Sequence, residues 1–152
     1  MDPKDIVKTL NALIETSKDG EYGFRLSADH AQSSQIQHLF VTRAEECAQA
    51  AAELQTLVVQ HGGKAETEGS TTGSLHRGWV AVKGTLAGYS DPAMLEEAER
   101  GEDTAMARYR DALRGEELPP DVRFVVERQY QGVKRNHSQM RSLRNEARVS
   151  TH

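Results

Sequence analysis

Acids and imidazoles stand at positions of this chain where a helical core would ordinarily take Leu or Ala. Glu102 falls in phase with Ala98 and Ala105, and His137 in phase with Val133 and Met140. Glu21 follows a core-phase Gly20, Glu46 precedes a core-phase Cys47, and Glu99 lies one turn before Glu102 on the same side of its segment. Several carboxylates and one imidazole form the donor set of a hard or borderline divalent ion such as iron, manganese or zinc. On that reading one metal ion is the cofactor, and its ligands come from Glu21, Glu46, Glu99, Glu102 and His137. The competing chemistry is a buried hydrogen-bond layer of Tyr130, Glu102, His137 and Arg43, with Glu102 accepting from one of the other three. Such a layer fixes helix register at a cost in stability. Of these two readings the hydrogen-bond layer is preferred. His76 and Trp79, three residues apart, would cap a pocket, meet another protomer or simply pack. No phosphate loop, zinc-type cysteine pair or catalytic-serine elbow is present, so no catalytic residue is assigned.

These residues need helices to position them. Asp2-Pro3 is a capping residue followed by a proline at the first helical position, and Ile6, Leu10, Leu13, Ser17, Gly20, Phe24 and Ala31 then recur at three- and four-residue steps. A second stripe, Ile36 to Val58, ends at Gly62-Gly63, a C-terminal glycine signal. Polar, glycine-rich residues 63–70 form a loop. Leu75, Trp79, Val82 and Leu86 give a shorter helix. Leu95, Ala98, Glu102, Ala105, Tyr109 and Ala112 give a third long one, and Val122 to Leu143, opened by Pro119-Pro120, a fourth. The expected helices cover about 3–30, 34–61, 71–87, 91–114 and 119–146 of a single domain, 1–148, with a frayed tail at 149–152.

Composition sets the outer limits. The 152 residues suit one domain with a single core. Lys and Arg number 19 against 23 Asp and Glu, a net charge of −4 with both signs interspersed, which gives no reason to expect a nucleic-acid partner. The basic residues that thicken toward the end (Arg128, Lys134, Arg135, Arg141, Arg144, Arg148) alternate with Glu127 and Glu146 and read as a solvated face. The single Cys47 sits among alanines, as a small buried thiol in a reducing compartment would. With no secretory signal and no apolar run of membrane length, a soluble cytoplasmic protein without a membrane partner is expected.

Two antiparallel hairpins of long helices joined by a helix of about 18 residues, roughly 27 Å, make an all-α, ferritin-like four-helix bundle with a shorter crossover helix. With the helices laid alternately up and down, Glu21, Glu46, Glu102, Tyr130 and His137 come within roughly 10 Å of one another in height. Di-iron centres of this architecture draw on Glu-x-x-His pairs. This chain has none: Lys134 stands three residues before His137, and Val58 three before His61. The sequence therefore opposes a full di-iron site and leaves a reduced mononuclear one as the alternative to the polar layer.

Four motifs arrive in order along nearly the whole chain: Leu13-Ile-Glu-Thr-Ser-Lys-Asp-Gly-Glu-Tyr-Gly-Phe24, Leu75-His-Arg-Gly-Trp79, Glu96-Glu-Ala-Glu-Arg-Gly-Glu-Asp103 and Leu118-Pro-Pro-Asp-Val122. In these the chain resembles a bacterial, mostly proteobacterial family of ferritin-like four-helix-bundle proteins of unknown function. The resemblance implies a ferritin-like bundle in the cytoplasm, sometimes linked with stress responses, and carries no established reaction. The expectation is a non-enzymatic binding or stress-related bundle, a homodimer, with a buried polar layer. The alternative is a divalent-metal-binding protein in metal storage or oxidative-stress defence.

Overall fold

The computed structural model describes residues 2–69, 90–114 and 117–150. Among them are four long helices: α1 (Pro3–His30), α2 (Ser34–Gln60), α3 (Asp91–Arg114) and α4 (Pro120–Ser150). The expected crossover helix at 71–87, with His76 and Trp79, lies outside the described residues. None of the helices is long and apolar enough to cross a membrane.

Local chemistry accounts for the helix ends. The Asp2 carboxylate accepts from the Lys4 N–H at 3.0 Å ahead of Pro3, satisfying a donor that the first turn leaves free. Ser33 caps α2 in the same way, accepting from the Ile36 N–H at 3.4 Å. At the other end of α2 the chain turns through Gly62 at φ +81°. Gly63 N–H bonds the Val58 carbonyl and Gly62 N–H the Val59 carbonyl, so His61 serves as the cap. The Asp91 carboxylate accepts from the backbone N–H groups of Gln32 and Ser33, both at 2.9 Å, latching the α1–α2 turn to the start of α3. α4 continues past the expected 146 to Ser150, because Leu143 and Ala147 still find apolar neighbours there.

α1 packs closely along α2, and α3 along α4. Across the two hairpins α1 meets α3 more extensively than α2 meets α4. The apolar core divides in two. One cluster gathers Ile6, Leu10, Leu13, Leu54, Val58, Tyr109, Val122 and Val126, and the other Phe24, Phe40, Ala44, Met94, Leu95 and Met140. Each fully buried aliphatic or aromatic side chain contributes about 1.5–3 kcal/mol of burial. Ser17 and Gly20 on α1, Glu102 on α3 and Gln129 on α4 fall between the clusters along their helices. A polar belt therefore crosses the middle of the bundle.

Two glycines on this belt differ in what they tolerate. A Cβ built on Gly20 would stand 2.9 Å from Cys47 Sγ, so Gly20 is what lets α1 approach α2 there. At Gly132 a Cβ would meet only the Arg135 guanidinium at an ordinary 3.7 Å. Gly132→Ala is therefore expected to stabilise the fold by about 0.5–1 kcal/mol through backbone entropy. Gly20→Ala should destabilise it by about 1–2 kcal/mol through overpacking. Urea denaturation of both variants checks the opposite signs.

Candidate functional site

Where the belt meets the second cluster is a buried ion pair. Arg43 and Glu102 are only 5% and 3% exposed, and Glu102 Oε1 accepts from Arg43 Nε at 3.1 Å and from Nη2 at 2.6 Å. Arg43 also lies over the Phe24 ring, its Cζ 5.2 Å from the centroid, and its Nη1 stands 3.6 Å from Glu46 Oε2. Burial pushes the Glu102 carboxyl above its ordinary range, and contact with Arg43 and the nearby His137 pulls it back. Burial also disfavours the Arg43 cation, but Cys47, Glu102 and Glu46 outweigh it and hold the guanidinium above its usual value. Glu102 Oε2 is buried without a hydrogen-bond partner.

A second group lies one turn from Glu102 along α3, at the seam of α3 with α4. Glu99, 5% exposed, accepts from Arg141 Nε at 3.0 Å and from Arg144 Nη1. His137 Nε2 approaches Asp103 Oδ1 at 2.5 Å, out of line for a hydrogen bond, and stands 3.9 Å from Glu99 Oε1. A third group runs across the bundle. Tyr109 donates to Gln129 Oε1 at 2.7 Å, Gln129 donates to Glu53 Oε1 at 2.8 Å, and Arg128 pairs with Glu53. Burial raises the Tyr109 hydroxyl well above its ordinary value, the Ser17 hydrogen bond opposing.

Beside these groups is a cavity of about 550 Å³, reached by residues of all four helices. Arg43, Cys47, Glu102, Tyr109 and Gln129 line it together with Gly20, Gly23, Ala105 and Gly132. Cys47 is the free thiol, buried as its alanine-rich surroundings indicate.

The structure brings some of the expected residues together and separates others. Arg43 and Glu102 meet directly, with Glu46 beside them on a half-exposed side chain. Glu21 lies apart from that pair, bonded to Arg25 at 2.7 Å and 3.7 Å from Lys18. Tyr130 does not reach Glu102. Its ring stacks on Tyr109 at 6.4 Å, with Lys134 Nζ 4.8 Å from its centroid. Among the described residues no three His, Cys, Asp or Glu side chains gather as a metal site. Asp103, Gln129 and Glu53 join these groups without being among the expected site residues, and Arg141 and Arg144 do more than solvate a face. A buried Glu99 needs a cation, and Arg141 and Arg144 lie on the helix facing it, one and two turns beyond His137.

Three solved structures resemble this architecture over nearly its whole length. The bacterioferritin-related protein of Bacteroides fragilis, a dodecameric thioferritin, gives a TM-score of 0.79 at 14% identity, covering 99% of this chain and 91% of its own. A ferritin-like, diiron-carboxylate protein from Bacillus anthracis str. Ames gives 0.73 at 15% identity, over 94% and 99%. A Dps1 variant from Mycobacterium smegmatis gives 0.73 at 13% identity, over 92% and 95%. At such identities the likeness shows the fold alone, a ferritin-like four-helix bundle. No curated protein matches the chain. Residues 5–115, well over half its length, match the profile of a domain of unknown function, DUF2383, and the chain belongs to that family.

Proposed function

We propose that this protein acts by binding rather than by turnover, as a homo-oligomeric ferritin-like bundle of the cytoplasm whose centre is a structural ion pair. One observation carries the reading: Arg43 Nη2 lies 2.6 Å from the carboxylate of Glu102. Proteins of this fold that hold di-iron build the site from inward carboxylates and histidines. Here the carboxylates already have cations: Arg43 for Glu102, Arg141 and Arg144 for Glu99, and Lys18 with Arg25 for Glu21. A divalent ion about 4 Å from a guanidinium would meet roughly 8 kcal/mol of repulsion, twice the unit-charge value at an effective dielectric of 20. The residues present do not fit a dinuclear carboxylate centre. Homo-oligomerisation is supported by the dodecameric relative, and a light-scattering mass separates a dimer from a larger shell. A role in stress or maintenance rests on the family resemblance.

A second reading, a reduced divalent-metal site serving storage or oxidative-stress defence, is favoured by the approach of His137 to Asp103 and Glu99. The two arginines on Glu99 weigh against it. Elemental analysis of protein purified without chelator, with melting curves in added iron, manganese and zinc, decides between the two. The expected result is substoichiometric metal and an unchanged melting temperature. One metal per chain, or a melting temperature that climbs with metal concentration, would overturn the ion-pair reading.

A further inference from the structure

The cavity is lined by a guanidinium with one edge left to a loose ion pair. Arg43 spends Nε and Nη2 on a single oxygen of Glu102, and among the described residues its other edge meets Glu46 Oε2, at 3.6 Å too far for a hydrogen bond. Among the described residues no acceptor lies within hydrogen-bond distance of Nη1, although Arg43 is nineteen-twentieths buried and lines the cavity. A guanidinium presents a planar fork of donors, and this one is pinned by its other edge and by the Phe24 ring. Small residues such as Gly20, Gly23, Ala98 and Ala105 make room beside it, and charged side chains, the exposed Arg108, Arg128 and Arg135 among them, line other parts of the space. At about 550 Å³ the space matches an ordinary small-molecule pocket.

Charge narrows the ligand class. Arg43, Glu102 and Glu46 already sum to one negative charge. An anion would add a third negative group, and a cation would face the guanidinium. An uncharged acceptor meets the free donors without leaving an uncompensated buried charge. We infer that the cavity is a binding site for an uncharged, mostly apolar small molecule whose carbonyl-type oxygen is received by the free edge of Arg43. The inference rests on the reading of the centre as an ion pair rather than a metal site.

The test titrates the full chain by calorimetry with phenylbutanone, with butylbenzene as the same shape lacking the oxygen, and with phenylbutyrate as the anion. Phenylbutanone should bind saturably at one per chain, about tenfold tighter than butylbenzene, as one charge-assisted hydrogen bond would give. Phenylbutyrate should bind no tighter than the ketone. Gly132→Leu, which fills the cavity from a position with room for a side chain, should abolish binding with the fold intact by circular dichroism. The paired substitution Arg43→Met with Glu102→Leu removes both charges together, and should bind ketone and hydrocarbon equally. Unsaturable binding of the ketone, binding indifferent to Gly132→Leu, a preference that survives the paired substitution, or a tighter anion would each overturn the inference. Stoichiometric metal uptake would instead remove the reading beneath it, so the two failures are distinct.

Discussion

Arg43→Ala is expected to destabilise the protein by about 3–5 kcal/mol, because it strands the Glu102 carboxylate in the core with no counter-charge. Both partners are more than nine-tenths buried, so solvent does little to screen the loss. The cost reflects the abandoned charge rather than the worth of the pair. Arg43→Met combined with Glu102→Leu should therefore recover most of it, and such replacements are often neutral or stabilising. Urea denaturation of the two single variants and the pair closes a double-mutant cycle. A coupling below about 0.5 kcal/mol, the scatter of independent sites, would show that the two side chains do not act together. Glu102→Gln with His137→Gln should by contrast be nearly additive, since Glu102 takes its bonds from Arg43 and His137 turns to Asp103.

Cys47 should be nearly inert in the folded protein. Burial, with Glu102, Glu46 and Glu21 nearby and Arg43 opposing, pushes its thiol from 9.0 up to about 12. Three pKa units leave about a thousandth of the thiolate that the unfolded chain carries at the same pH. Alkylation by iodoacetamide at pH 8 is expected to run about a thousandfold slower in native protein than in guanidinium. Native and unfolded rates within a factor of ten of each other would sink this picture of the site. The same shift gives stability a pH dependence of definite sign. The fold keeps a proton that the unfolded chain releases above its own thiol value, so stability falls as pH rises from about 9 towards 12, by roughly 1.4 kcal/mol per unit. Tyr109, likewise raised by burial, adds in the same direction above its ordinary value.

The long helices were legible in the sequence because caps and periodicity are local. Asp2-Pro3, Ser33, the Gly62-Gly63 stop and Pro119-Pro120 act within one turn of their own positions, and the observed ends lie close to them. The in-phase acids were legible too, since a Glu at an apolar position must be buried somewhere. For Glu102 the partner was narrowed to Tyr130, His137 or Arg43, of which Arg43 is the one it meets, whereas the partners of Glu99 were not legible. Arg43, Arg141 and Arg144 are long enough to reach either solvent or a neighbouring helix, and only the rotation of one hairpin against the other decides which. Tyr130 shows the converse: at the right height for Glu102, it is turned toward Tyr109, and height along an axis carries no information about azimuth.

Because the apolar side chains gather into two clusters, one toward each end, most of the burial that holds the fold lies outside its waist, where a stranded charge is costly but a balanced one is not. Ile6, Leu10 and Val122 at one end and Phe40, Met94 and Met140 at the other can hold four helices in place while the residues between them change. The waist is then the part of the molecule where a charge-balanced exchange costs the fold least. An arginine and an acid that balance each other can stand there within an architecture that elsewhere holds ligands, so shared architecture across such divergent sequences says little about shared chemistry.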